Sequence, residues 1–338
     1  MKTIWKVVII LVAVGLVLSI VGVAMGASRW VYWDRSGSHI VDVSAEKRIT
    51  ELDLEQIKNI EIKADFSDIE FITSDKYGID ICYRDEVVTW GLESGNLTVS
   101  VNNAVRVRPR FFDINLSFTY PKNYIKVYLP ADAELDNVSV YTSAGDIKAG
   151  SFNADYVQID NDFGRLDVNS ITCNRLKIKM SAGDFSGRNL VSGDIEYRND
   201  FGKSKFETIN AKSLNVNCSA GDIRLSGCKV ESIDVNNDFG KITATDLISS
   251  KTNIYASAGD IDISGEFSGQ TVIKEDFGSV RFTTSKAKED YSYDVFTDFG
   301  SVMVDNSRVR GGTQSGSSAV NSLYITNSAG DIHVNFGR

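Results

Sequence analysis

Eight glycines decide what this chain can become. Gly145, Gly164, Gly183, Gly202, Gly221, Gly240, Gly259 and Gly278 follow one another at seven successive 19-residue intervals. A unit that short cannot bury an apolar face alone, so such units must stack and share one continuous core. The glycines sit alternately in Ser-Ala-Gly-Asp, starting at 143, 181, 219 and 257, and in Asp-Phe-Gly, starting at 162, 200, 238 and 276. The chemical period is therefore two units.

Columns read against the glycine give strands. Seven residues before it stand Val138, Val157, Leu176, Ile195, Leu214 and Ile233, and five before it Val140, Ile159, Ile178, Tyr197, Val216, Val235, Ile254 and Ile273. Alternation with period two is the mark of a half-buried strand. Two residues after the glycine come Ile147, Leu166, Phe185, Ser204, Ile223, Ile242, Ile261 and Val280, and seven after it Phe152, Ile171, Leu190, Ile209, Cys228 and Leu247. Because apolar parity changes across the glycine, that residue marks a corner or bulge. The expected fold is all-β, a single-chain β-solenoid of 19-residue coils.

The two-coil alternation carries two further expectations. The residue before the glycine is alternately alanine and phenylalanine, with Phe163, Phe201, Phe239 and Phe277 each set between small neighbours. Large beside small conserves core volume, so these rings are expected inside, where Phe201→Ala would open a cavity. The residue after the glycine runs Asp146, Arg165, Asp184, Lys203, Asp222, Lys241, Asp260. A 19-residue coil places opposite charges about 4.8 Å apart, whereas a 38-residue coil would set like on like. Exposed pairs contribute only ~0 to 1 kcal/mol each, so such a ladder fixes register more than stability.

Regularity fades at both ends. Asp65-Phe66-Ser67-Asp68-Ile69 reads as a degenerate early coil within an irregular β region, 50–137, that precedes the regular solenoid, 138–338. Near the other end the glycine interval stretches to 22 and then 30, with a Gly/Ser-rich loop within 308–320. The last strand-like run, Ile332-His333-Val334, lies so close to Arg338 that its edge has no evident cap.

The N-terminus points to a membrane. From Val7 to Ser28 the chain carries no charge, and Lys6 and Arg29 bracket the run. As a helix it spans about 33 Å, enough for a hydrocarbon core. A transmembrane helix over 7–28 is expected, with a cytoplasmic stub, 1–6, and a juxtamembrane linker, 29–49, whose Trp30, Tyr32 and Trp33 suit the headgroup layer. A cleaved signal peptide at Ala24-Met25-Gly26 is the rival. Lys2 and Lys6 favour an extracytoplasmic body.

Charge narrows the partners. Residues 1–39 carry Lys2, Lys6, Arg29 and Arg35 against Asp34, a surplus of three, so the net charge of −9 leaves −12 on the remainder. An acidic body argues against nucleic acid. Arg106, Arg108 and Arg110 alternate beside Phe111 and Phe112, and such a strand face could meet an anionic partner. Cys82, Cys173, Cys218 and Cys228 have neither zinc nor redox spacing and read as small buried side chains. Asp-Phe-Gly at coil spacing, without a phosphate loop, is no kinase signature. Only His39 and His333 are present, which leaves little for acid–base chemistry. Asn161, Asn199 and Asn237 read as turn caps before calcium ligands. No cofactor, metal or catalytic residue is expected.

The run Val127-Tyr128-Leu129-Pro130, followed by Leu135-Asp136-Asn137-Val138-Ser139-Val140-Tyr141-Thr142-Ser143-Ala144-Gly145-Asp146-Ile147, resembles the "putative adhesin" family of bacterial β-strand-repeat envelope proteins, a domain-of-unknown-function family. The resemblance covers roughly residues 50–338. It implies a β-solenoid in a membrane-tethered or secreted envelope protein, and no family site residues. Strict Ala/Phe alternation and the late insertion depart from the family pattern. The expected function is a non-enzymatic, membrane-anchored extracytoplasmic module, adhesin-like or an envelope scaffold, with a protein or cell-wall polymer as partner. A sensory partner of an envelope-stress membrane system is the alternative. A polysaccharide-acting β-helix enzyme is a more distant one.

Overall fold

The computed structural model describes residues 30–34, 37–41, 46–84, 86–102, 123–309, 312–315 and 319–337. Among them the fold is all-β, and most strands belong to one continuous hydrogen-bonded system. The transmembrane helix expected over 7–28 lies outside the described residues, among which no helix is long and apolar enough to cross a membrane. Residues 29–49, expected as a linker, instead contain an antiparallel hairpin of Trp30–Asp34 with Gly37–Val41 and the start of Lys47–Leu54.

Equivalent positions of successive coils lie beside one another. In Ile147–Phe163 and Leu166–Ala182, Ile147 pairs with Leu166, Val157 with Leu176 and Phe163 with Ala182, all in parallel. The same register continues through Phe185–Phe201 and Ser204–Ala220. Each coil turns three times, and its burial pattern shows where. In Ile147–Phe163 the buried positions are Ile147 and Ala149, then Phe152 and Ala154, then Val157, Ile159 and Asn161. Parity slips after 149, after 154 and across the glycine, so three flat runs enclose the core.

The glycine corner is the tightest. Gly202 has φ +131°, and a Cβ built there would lie 2.0 Å from the Gly183 carbonyl oxygen. Its neighbours along the stack repeat this approach, so the corner backbones touch where side chains would otherwise stand. The hydrogen-bond ladder passes through them: the Gly183 N–H donates to the Phe201 carbonyl at 2.9 Å, and the Phe185 N–H to the Lys203 carbonyl at 2.8 Å. A second left-handed turn, six residues after the glycine, falls at Ser151, Ser170, Asn189, Thr208, Gly227 and Asp246. Most of these are polar residues that tolerate that conformation through local hydrogen bonding.

The core is filled by columns that trade volume between neighbours. Phe185, Tyr197 and Phe206 pack with ring centroids 4.6 to 5.2 Å apart. Small residues make the room, since a Cβ on Gly187 would strike the Phe185 ring at 2.7 Å. The buried Tyr197 hydroxyl pairs with Ser204 Oγ at 2.7 Å, which explains the one polar residue in its column. The four cysteines are buried and unbridged.

The phenylalanines before the glycines are not in this core. Phe163, Phe201, Phe239 and Phe277 are 61 to 66% exposed, which corrects the expectation of an internal ring column. Period-two counting projects the inward face past the point where the chain has begun to turn. The last inward residue lies three before the glycine, and both residues between them already face solvent.

Chain order and stack order part company at both ends. Asn59–Phe66 lies directly against Glu134–Ala144, placing the Asp65–Ile69 segment as an early coil. Beyond it, Asn96–Asn102 and Tyr124–Pro130 add one more layer, closed by antiparallel Val87–Glu93 and Tyr77–Tyr83. At the C-terminal end, Asn321–Ala329 inserts between Ile261–Phe277 and Tyr291–Phe299. Ile332 and Val334 thus have a strand on either side, which corrects the expectation of an uncapped last edge. The outermost coil, Tyr291–Val304, is instead covered by antiparallel Ser307–Val309 and Gly312–Ser315. Part of the glycine- and serine-rich loop is therefore strand. Antiparallel strands at both ends blunt the edges of the parallel stack.

Stacked glycines predict a contrast within one residue type. Gly202→Ala meets both a carbonyl and a forbidden φ and should cost about 2–5 kcal/mol. Gly227→Ala, with φ +60° and nothing within 4 Å of the new Cβ, should cost about 1–2 kcal/mol. Urea midpoints of the two variants measure the difference, and equal losses would contradict the stacking.

Candidate interaction surface

At the glycine corner every second coil presents a phenylalanine. Along the stack the order is Phe66, Ala144, Phe163, Ala182, Phe201, Ala220, Phe239, Ala258, Phe277, Ala329, Phe299, each paired in register with the next. The six rings are 54 to 79% exposed. At about 4.8 Å per coil they lie roughly 9.6 Å apart on a ridge about 48 Å long. Packing does not call for them: the buried column two after the glycine accepts isoleucine, leucine, phenylalanine, serine and valine, whereas the exposed column repeats one residue.

Aspartates hold the ridge in register through the backbone. Asp146 Oδ1 accepts the Arg165 N–H at 2.9 Å, Asp184 the Lys203 N–H at 3.0 Å, Asp222 the Lys241 N–H at 3.1 Å and Asp260 the Ser279 N–H at 2.9 Å. The end coils repeat the contact, with Asp68 accepting from Asp146 and Asp331 from Ser301. Alternating charges therefore do lie on adjacent coils, and the chemistry that joins them is carboxylate to amide. Of the cations, Lys241 Nζ lies 3.8 Å from Asp262 Oδ2. Such a charge-assisted bond to an amide is stronger than an exposed ion pair.

Behind the ridge runs a buried polar row, the asparagines expected as turn caps, whose burial the sequence did not signal because apolar residues mark an inward face. Asn161, Asn199 and Asn237 are 1 to 2% exposed. Each donates its Nδ2 hydrogen to the glycine carbonyl one coil back, at 3.3 Å to Gly145, 3.0 Å to Gly183 and 3.2 Å to Gly221. The asparagines are turn caps in this sense. Their recurrence at every second coil was the signal, and the next member is Glu275, 2% exposed. Its Oε1 accepts the Phe277 N–H at 3.2 Å, and its Oε2 has no partner among the described residues. Burial, with Asp276 and Asp260 nearby, pushes this carboxyl up to about 7. Burial also raises the thiols, Cys82 and Cys218 to about 11 each, so they serve as packing.

The basic stretch Arg106, Arg108 and Arg110 lies outside the described residues. Among the described residues no group of three or more His, Cys, Asp or Glu side chains could hold a metal. What the corner offers chemically is a row of exposed apolar rings in an ordered frame of carboxylates and cations.

A family model described as Toastrack DUF4097 matches residues 57–335. The chain belongs to this family, whose domain has no known function. No curated protein matches it. Among solved structures, it is similar to a putative adhesin from Bacteroides fragilis at 14% identity and TM-score 0.38, covering 85% of this chain and 97% of that one. A putative adhesin from Parabacteroides distasonis aligns at 12% identity and TM-score 0.36, covering 86% and 96%. A protein from the same organism described as a putative lipid binding protein aligns at 12% and 0.29, covering 87% and 97%.

Two measurements test this reading of the corner. Phe201→Ala should change stability by no more than about 0.5 kcal/mol, and Phe206→Ala, fully buried, should cost about 3–5 kcal/mol. The reverse ranking in urea would return the ridge to the core. Glu275 holds its proton more tightly folded than unfolded, where 4.5 is its ordinary value. Its contribution to stability is thus full below about pH 4.5 and lost as the pH rises through about 7. Glu275→Gln should remove about 1–3 kcal/mol of the stability difference between pH 5.5 and 8.5. An unchanged difference would show that the carboxyl titrates normally.

Proposed function

We propose, taking membership of the Toastrack DUF4097 family as the premise, that this protein is a non-enzymatic envelope module, anchored by residues 7–28 with its β-stack outside the membrane. It acts by binding, as an adhesin-like or scaffolding element. The observation that carries the reading is the exposed ridge, one motif repeated along about 48 Å while the buried columns vary. A surface of that kind suits an extended or repetitive partner. The uncharged run from Val7 to Ser28 and the lysines before it supply the anchor and its direction.

Spheroplasts expressing the chain with a tag at each end provide the test. Added protease should remove the C-terminal tag and spare the N-terminal one, and deletion of residues 7–28 should release the chain from the membrane fraction. A protected C-terminal tag would overturn the topology. Release of soluble fragments from cell-wall polysaccharide by the purified chain would overturn the non-enzymatic reading. Recovery of a regulatory membrane protein by crosslinking in intact cells would shift the role from adhesion to sensing.

A further inference from the structure

The ridge is complementary to itself. We propose that its occupant is the ridge of a second copy of this chain, docked with the stack reversed so that phenylalanines of each copy enter the alanine positions of the other. A two-fold axis lying along the chain direction at the corner reverses stack order and leaves the two corner segments parallel. Equivalent positions then face each other. With an Asp-Phe-Gly coil opposite a Ser-Ala-Gly-Asp coil, aspartate meets serine, phenylalanine meets alanine, and the cation after one glycine meets the aspartate after the other.

Spacing and charge select one register. With the axis between the coils of Ala220 and Phe239, Phe239 lies over the partner's Ala220, Phe201 over the partner's Ala258 and Phe163 over the partner's Ala329. Rings from the two copies then interleave at about 4.8 Å, within the range of offset stacking. Lys241 faces the partner's Asp222, Lys203 the partner's Asp260 and Arg165 the partner's Asp331. Sliding by two coils keeps five ring contacts but sets Asp68 against the partner's Asp331, so like charge excludes it.

Enough area is at hand. The five docked rings are 61 to 79% exposed in one copy. At about 200 Å² each they remove roughly 650 Å² per copy, about 1,300 Å² for the pair before the flanking residues are counted, which reaches the size of stable interfaces. The N-terminal ends of the two stacks point in opposite directions, an arrangement open to copies anchored in facing membranes.

Benzoylphenylalanine incorporated at position 239 of the full-length chain tests the occupant directly. Irradiation of intact cells should give a product of twice the 37.2 kDa chain mass, linked to the peptide that contains Ala220. Ala220→Phe in the same chain adds apolar surface, so general stickiness would increase the product. Interleaving instead requires its loss by at least about 30-fold, the effect expected for disrupting a central aromatic contact. Lys241→Glu should also reduce it. A monomer, an adduct to lipid or to another protein, or a dimer indifferent to Ala220→Phe would each overturn the proposal. Phe239 and Lys241 are exposed and Ala220 is partly exposed, so circular dichroism of the variants should match wild type.

Discussion

One steric fact governs the molecule: at the glycine corner, the carbonyl oxygen of each coil occupies the space where the next coil would carry a Cβ. Gly183 does this to Gly202, and Gly202 does it to Gly221, within 2.0 Å of the hypothetical atom. Two backbones can approach so closely only without side chains, and the positive φ excludes other residues again. The corner thereby pins coil against coil at one edge. The two remaining turns need less, since polar residues such as Ser170 and Thr208 satisfy the second. With one edge fixed, every inward column falls into line coil upon coil, and burial of isoleucine, leucine and valine does the rest.

This division of labour explains which parts of the fold were legible in the chain and which were not. Glycine spacing and the columns at Val157 and Ile159 reported directly on geometry, because a strand has a fixed period. The turn after Asn161 obeys no period. Counting on by two carries Phe163 inward, while the structure has already rotated it to solvent. Asn161 and Asn199 were legible as turn caps, but their burial was hidden for the opposite reason. Their burial rests on hydrogen bonds to glycine carbonyls, and a polar residue gives no apolar signal. Stack order at the C-terminal end was beyond reach as well, since adjacency there follows from Asn321–Ala329 inserting between two earlier strands. Local spacing cannot register a contact such as the Gly269 N–H to Asn321 Oδ1, whose partners stand several coils apart in the chain.

Glu275 shows how tightly the corner constrains its lining. Asparagine suits the site because an amide donates to one glycine carbonyl while its neighbour along the stack does the same one repeat later. An ionised carboxylate has nothing to donate and would be buried with Asp276 and Asp260 close by. Protonation restores a donor. The place in the repeat where asparagine gives way to glutamate is also where the regular stack ends, with Asn321–Ala329 docking against Ile261–Phe277 and Asn327 donating to the Gly278 carbonyl at 2.6 Å. The pH-sensitive residue therefore lies at the junction between the repeating body and its terminal coils.

The exposed rings are best understood against this background of necessity. Inside, residue identity drifts freely as long as volume is kept, as Tyr197 beside Ser204 and Phe185 beside Gly187 show. Outside, where a solvated position would tolerate almost anything, phenylalanine recurs at every second coil from Phe66 to Phe299 and alanine fills the coils between. Stability cannot be the cause, because an exposed ring gains little from folding and raises the risk of aggregation. Aspartates beside the rings keep that risk down and anchor the backbone in the same stroke. Recognition at a fixed pitch is the role proposed for the rings. The proposed occupant, a reversed copy of the same ridge, repeats at the same pitch of about 9.6 Å.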